Sequence, residues 1–257
     1  MSCLTQVFGN LHNASTHQRC CTKIILLSNH NSIKVTLMGI KIDTITWKKN
    51  LEEIISRLEN RDKLRENLLR LTRELTRKCR EAVFHIHSKN FQRAEETLAE
   101  AKELVDKINE YKNTEPILYY SGSVNSAFTE YVEASTLYNI VKNKRLISLS
   151  ELEVTIPAYL AGFGDVIGEL RRYALTLIKE NKIDTAWEIL RLMETLYVEL
   201  SRLSYPEALL PGLRHKMDVA RIIIENTRKD ILFYEKSSEL IQALEKANRL
   251  VSEKGEA

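Results

Sequence analysis

Two pairs of acidic residues stand at helical spacing in the middle of the chain. In Phe128-Thr-Glu-Tyr-Val-Glu-Ala134, Glu130 and Glu133 are three apart and share one helix face. That face continues through Ala127, Ala134, Leu137 and Ile140, while Phe128, Tyr131, Val132 and Tyr138 cover the other flank. Two carboxylates among such neighbours are costly to bury unless a positive charge sits between them, either a divalent cation or an arginine. In Ala158-Tyr-Leu-Ala-Gly-Phe-Gly-Asp-Val-Ile-Gly-Glu-Leu-Arg-Arg172, Asp165 and Glu169 are four apart, again on one face.

Set face to face, these two helices bring four acids together with no histidine or cysteine among them. An all-oxygen donor set suits Mg²⁺ or Mn²⁺ and argues against zinc or copper. Such a centre activates water and offsets the charge of a phosphodiester under hydrolysis. Acids three or four apart also occur on most soluble helices as solvated or salt-bridged groups. The apolar flanks set these apart, and so does a run of glycines. Gly162, Gly164 and Gly168, three of the chain's eight, fall within seven residues of one helix. Each costs about 0.5–1 kcal/mol against alanine there, so the sequence calls for close approach of another helix or of a ligand.

The elements that position these residues read as helices throughout, an all-α bundle. Leu51, Ile54, Ile55, Leu58, Leu64, Leu68, Leu71, Leu75 and Ala82 recur at steps of three and four, predicting one or two very long helices from Asp43 to about Ser88. Phe91 to Tyr111 makes the next. Pro116 and Gly122 loosen the approach to a helix from about Asn125 to Lys142, which carries the glutamates. Ser148 to Glu151 reads as a capped turn. Pro157 opens the helix with Asp165 and Glu169, running to Glu180. Asn181 breaks it, Asp184 caps the next as far as Ser204, and a last helix runs from Leu213 to about Ser252. No strand pattern is evident, and no sustained heptad favours a coiled-coil rod.

Composition bounds the rest. A formal charge of +3 over 257 residues does not announce a nucleic-acid binder, so any basic surface must come from clustering. Cys3, Cys20, Cys21 and Cys79 lack zinc-site spacing and read as reduced thiols. No apolar run is long enough to span a membrane, and a cytoplasmic protein is expected. From Met1 to Ile42 there is no Asp or Glu, whereas acids recur in almost every turn from Asp43 onward. Residues 1–37 are therefore expected to be a poorly packed leader, translated upstream of a true start at Met38, with a transit peptide as the other reading. Residues 38–257 are expected to form one helical domain.

The residues around the acids carry a family resemblance. Glu130-Tyr-Val-Glu-Ala134, followed by Lys142 and Arg145-Leu-Ile-Ser148, resembles the translin family on its factor X branch. So do Tyr159-Leu-Ala-Gly-Phe-Gly-Asp-Val-Ile-Gly-Glu-Leu-Arg-Arg172 with Asp184-Thr185, and the upstream stretch from Leu68 to His87. The likeness covers roughly residues 44 to 230. It implies a fold of about seven helices assembling into a hollow, octamer-like shell around single-stranded RNA or DNA. It also implies Mg²⁺-dependent endoribonuclease activity, with Glu130, Glu133 and Asp165 matching the catalytic, metal-holding acids and Glu169 one turn beyond as a fourth ligand or a base. The binding-only branch lacks the paired glutamates, and a homo-oligomer is the simplest assembly. The last helix runs past the family's usual end, so no role is transferred to Arg214, Lys216 or Arg221.

Basic residues near the acids are candidates for holding the nucleic-acid backbone. Lys142, Lys144 and Arg145 cluster at the end of the glutamate helix, where cations also suit the helix dipole. Arg171 and Arg172 lie within a turn of Glu169, and Arg73, Arg77 and Arg80 form a basic edge on the first long helix. Tyr119, Tyr120 and Tyr131 could stack on bases, although Tyr131 reads better as core. His85 and His87, two apart, point away from each other on a helix and read as structural or surface groups. Three rivals stand beside a metal-dependent endoribonuclease. One is a shell that binds without cutting, and another is a scaffold with salt-bridged acids. The third is an all-α nucleotide pyrophosphohydrolase, whose second acidic pair is Glu-x-x-Asp rather than the Asp-x-x-x-Glu found here.

Overall fold

The structure, a computed structural model, describes residues 34–37 and 40–255, with side chains over 44–249. The expected leader lies outside the described residues except for its last four. These form strand β1, Lys34–Leu37, antiparallel to β2, Ile40–Asp43, with Val35 opposite Ile42. This hairpin is the one strand pairing among the described residues, and the sequence reading missed it. Its apolar and polar residues alternate over only four positions on each side, too short a run to stand out.

The fold is otherwise all-α. Helix α1, Ile45–His87, is followed by α2, Phe91–Asn109, and two single turns, α3, Tyr111–Thr114, and α4, Pro116–Tyr119. Next come α5, Gly122–Tyr138, with a π-helical extension over Asn139–Asn143, the turn α6, Leu149–Leu152, and α7, Ile156–Lys179. Helices α8, Ile183–Ser201, and α9, Leu213–Gly255, complete the chain. Six of these are long and three are single turns, where about seven helices were expected. No helix among the described residues is long and apolar enough to cross a membrane.

The local chemistry explains most of the boundaries. Ser148 and Glu151 form the reciprocal capping box of α6. Thr155 caps α7 through Ala158 N, with Pro157 in the first turn, where its missing N–H costs nothing. Asn181 takes a left-handed conformation, φ 59°, and ends the helical path there. Asp184 falls in the first turn of α8, where its charge suits the dipole, and Lys182 occupies the cap position instead.

The chain divides into two compact units, Met1–Asp62 and Lys63–Ala257, so the division falls inside α1 and not at the compositional break near residue 38. In the first unit, every described side chain from Ile45 to Asp62 is exposed. The second unit holds the core. There α7 packs against α5, α8 and α9, and α5 also packs against α2. Leu75, Phe128, Leu137, Ile167, Leu170 and Met193 are fully enclosed at its centre. Gly162 explains how closely α5 and α7 approach: a Cβ there would lie 2.5 Å from Val132 Cβ and 2.9 Å from the Thr129 carbonyl. The pair that carries the two acidic motifs is thus locked by a glycine one helical turn before Asp165.

Candidate active site

Glu130, Glu133, Asp165 and Glu169 lie close enough for their charges to act on one another. Glu133 faces inward from α5, and its carboxyl is pushed up to about 8, first by burial and then by the charges of Asp165, Glu169 and Glu130. Lys216 opposes this shift only from a distance, and among the described residues Glu133 forms no salt bridge of its own. Glu133, Asp165 and Glu169 line a pocket of about 420 Å³ together with Gly164, Gly168, His215 and Lys216. Two of the three glycines singled out by spacing therefore border this pocket, and at Gly168 an added Cβ would meet open space.

Each remaining acid has a partner. Lys216, from α9, donates to both Asp165 oxygens, reaching Oδ2 at 2.6 Å. His87, the last residue of α1, places Nε2 2.5 Å from Glu169 Oε2, and Arg172 adds a looser contact at 3.7 Å. The hydrogen bond from His87 is the chief reason that the Glu169 carboxyl sits below its ordinary range. Glu130 receives Arg80 at 3.3 Å. Behind the glutamates, Cys79 is a buried free thiol, raised well above its usual value by burial and by Glu130 and Glu133, and so chemically quiet. Among the described residues no three His, Cys, Asp or Glu side chains are disposed as they stand to hold one metal ion.

Two partners escaped the sequence reading. His87 is a structural rather than a surface group: its side chain is only 7 % exposed, and it meets Glu169 directly, a partner that the spacing does not reveal. Lys216 was left without a role, yet it sits on Asp165. Neither could be found from local spacing, because they lie 82 and 51 positions from the acids they touch.

The basic candidates divide into distinct groups. Arg73, Arg77 and Arg80 are exposed along one side of α1 and line an open groove of about 480 Å³ with Thr72, Thr76, Ser123 and Ser126. Arg80 joins this groove to the acids through Glu130. Arg171 is engaged elsewhere: it donates to Thr227 and, at 2.8 Å, to Asp230, tying α7 to α9. Arg172 is exposed beside Glu169. Lys142 lies over the Phe91 ring at 5.3 Å, Arg145 pairs with Glu151, and Lys144 takes a left-handed conformation that ends the π turn. Tyr119 and Tyr131 are core residues, and only Tyr120 of the three tyrosines is exposed.

Comparison with known proteins bears on family and fold. A family model described as the Translin family matches residues 63–227. An uncharacterized protein of Methanocaldococcus jannaschii is 31% identical over 197 residues, covering 76% of this chain and 87% of its own. Translin-associated protein X of Rattus norvegicus is 22% identical over 54% of this chain and 62% of its own. Among solved structures, AfC3PO in complex with duplex RNA superposes with a TM-score of 0.68 at 37% identity, covering 73% of this chain and 97% of that one. Apo-NeC3PO, at 24% identity and a TM-score of 0.66, shares the fold.

Proposed function

Because this chain belongs to the translin family, we propose that it binds RNA and cuts it at the carboxylate cluster with the help of a divalent cation. The observation that carries this reading is Glu133, a half-buried acid with no salt bridge among the described residues, sharing an open pocket with Asp165 and Glu169 and feeling the charge of Glu130. Glu130, Asp165 and Glu169 each meet a basic side chain that ties helices together, whereas the burial of Glu133 beside them works against the fold.

The donor set fits Mg²⁺ or Mn²⁺: Glu130, Glu133 and Asp165 would hold the ion, and only oxygen atoms would touch it. When bound, the ion would supply Lewis acidity and lower the pKa of an attacking water. Glu169, held by its hydrogen bond to His87 and lining the pocket, would be a fourth ligand or the group that positions that water. The groove along Arg73, Arg77 and Arg80 would neutralise the phosphates of the strand and lead it toward Glu130. Arg172, exposed beside Glu169, would offer a guanidinium to the scissile phosphate. Single-stranded RNA is the proposed substrate, with single-stranded DNA as a second ligand, in a homo-oligomeric, octamer-like shell.

A binding-only shell is the second reading, and one observation favours it: Lys216 already neutralises Asp165. The two are separated by incubating a labelled single-stranded RNA with the protein in Mg²⁺ and in EDTA, beside Glu130→Ala/Glu133→Ala. Metal-dependent cutting by the wild type, with binding but no cutting by the double variant, supports the nuclease. Equal binding and no product with any metal would leave the binding shell. Duplex RNA in parallel tests strand preference, and light scattering tests the assembly.

A further inference from the structure

Lys216 occupies the cluster in a way that an ordinary surface ion pair does not. Its ammonium engages both oxygens of Asp165, and its side chain is about 29% exposed. Its stem lies flat against α7: a Cβ at Gly164 would meet Lys216 Cβ and Cδ at 3.3 Å each. The glycine next to Asp165 thus makes room for this lysine and for its neighbour Met217, whose Cε would lie 3.2 Å from that Cβ. On the far side of Asp165, Gly168 leaves open space in the same pocket.

We propose that Lys216 is a tethered cation that holds Asp165 in the absence of metal, is displaced when a divalent cation enters, and then pairs with a phosphate of the bound nucleic acid. This rests on the reading that the cluster takes a divalent cation. The ammonium and a metal ion compete for the same Asp165 oxygens and cannot both be fully engaged there. Metal entry therefore releases Lys216, and the lost ion pair weakens apparent metal affinity. The released ammonium stays within reach on its flexible four-carbon stem, as a point charge suited to a phosphate oxygen. A phosphate in the pocket gives it a new partner, so metal and nucleic acid favour each other's binding, and by linkage the coupling is reciprocal. A site built this way fills with metal chiefly when substrate is present.

The test is Mn²⁺ binding at pH 7.5, followed by electron paramagnetic resonance, on the full chain and on Lys216→Met and Lys216→Arg. Each is measured with and without a 2′-O-methyl RNA that resists cleavage. Lys216→Met should bind Mn²⁺ about tenfold tighter than the wild type without RNA, the scale of one charge-assisted contact. Lys216→Arg should stay near the wild type. Adding the RNA should tighten Mn²⁺ for the wild type and leave Lys216→Met unchanged. Should Lys216→Met fold poorly, Gly164→Ala, which pushes the stem away from α7, should shift the affinity in the same direction. Equal Mn²⁺ affinity in wild type and Lys216→Met overturns the inference while leaving the metal site standing. Absence of binding in every variant removes both the inference and the metal reading.

Discussion

The Nε2 atom of His87 lies 2.5 Å from Glu169 Oε2, joining the end of α1 to the middle of α7 across 82 residues of sequence. The other ring nitrogen, Nδ1, is buried without a partner. A buried polar atom left unsatisfied costs stability, so the ring is held here for the bond it makes with the acid. Replacing His87 with alanine should therefore cost about 1 kcal/mol by urea unfolding at pH 7, and His87→Gln, which can still donate, should cost less. The sign with pH follows from Glu169, whose folded-state pKa is lowered. Its contribution is present above the ordinary carboxylate pKa and is lost as pH falls through the folded value, so the gap between wild type and His87→Ala should narrow in acid. A gap that stays constant down to pH 3 would contradict the pairing.

Glu133 should behave in the opposite sense. Its pKa is raised from 4.5 to about 8, so the stability it contributes is complete below the unfolded value and is lost as pH rises through 8. Without divalent metal, Glu133→Gln should melt roughly 3–8 °C above the wild type at pH 9 and level with it near pH 5. Mn²⁺ should stabilise the wild type and leave Glu133→Gln nearly unmoved. Melting curves across pH, with and without Mn²⁺, decide both points.

The glycines of α7 differ in what surrounds them, and alanine should separate them. At Gly162 the new methyl would press on Val132 and on the Thr129 carbonyl, so Gly162→Ala should destabilise by about 1–3 kcal/mol. Pairing it with Val132→Ala should recover part of that loss. At Gly168 the same change meets open space and should stabilise by about 0.5–1 kcal/mol through helix propensity. Equal effects at the two positions would mean that the α5–α7 approach is looser than described.

The arginines also separate by readout. Arg73→Gln/Arg77→Gln should leave melting unchanged while weakening RNA binding and flattening its salt dependence by about one to two phosphate contacts. Arg171→Ala should do the reverse, lowering stability through the lost link to Asp230 and leaving the salt slope as it was. A salt slope that Arg171→Ala flattens and Arg73→Gln/Arg77→Gln leaves alone would assign the phosphate contacts the other way.

What could be read from the sequence was local. The apolar faces of α5 and α7, the caps at Ser148 and Thr155 and the break at Asn181 are set by neighbours within a few residues. The convergence of Glu130, Glu133, Asp165 and Glu169 follows once those two faces are made to pack. Lys216 and His87 were not readable, because their roles depend on how α9 and the end of α1 lie across α7. A shift of one residue turns a side chain by about 100°, and nothing in the local pattern sets that register. Arg171 illustrates the same point: its position near Glu169 favoured a phosphate, while Asp230, far along the chain, holds it.

The π turn after α5 has a consequence of phase. Residues Asn139–Asn143 follow the glutamate helix with one residue more in the turn than an α-helix would hold, and the buried Asn139 braces it by donating to the Ser135 carbonyl. The angle between the acids and the cations at Lys142, Lys144 and Arg145 is therefore set by a single extra residue. Were Asn139–Asn143 wound as a regular α-helix with no residue removed, Lys142 would turn by about 100° around the axis, while Glu130 and Glu133, upstream, stayed where they are. The acids and Lys142 thus have separately adjustable bearings along one stretch of chain.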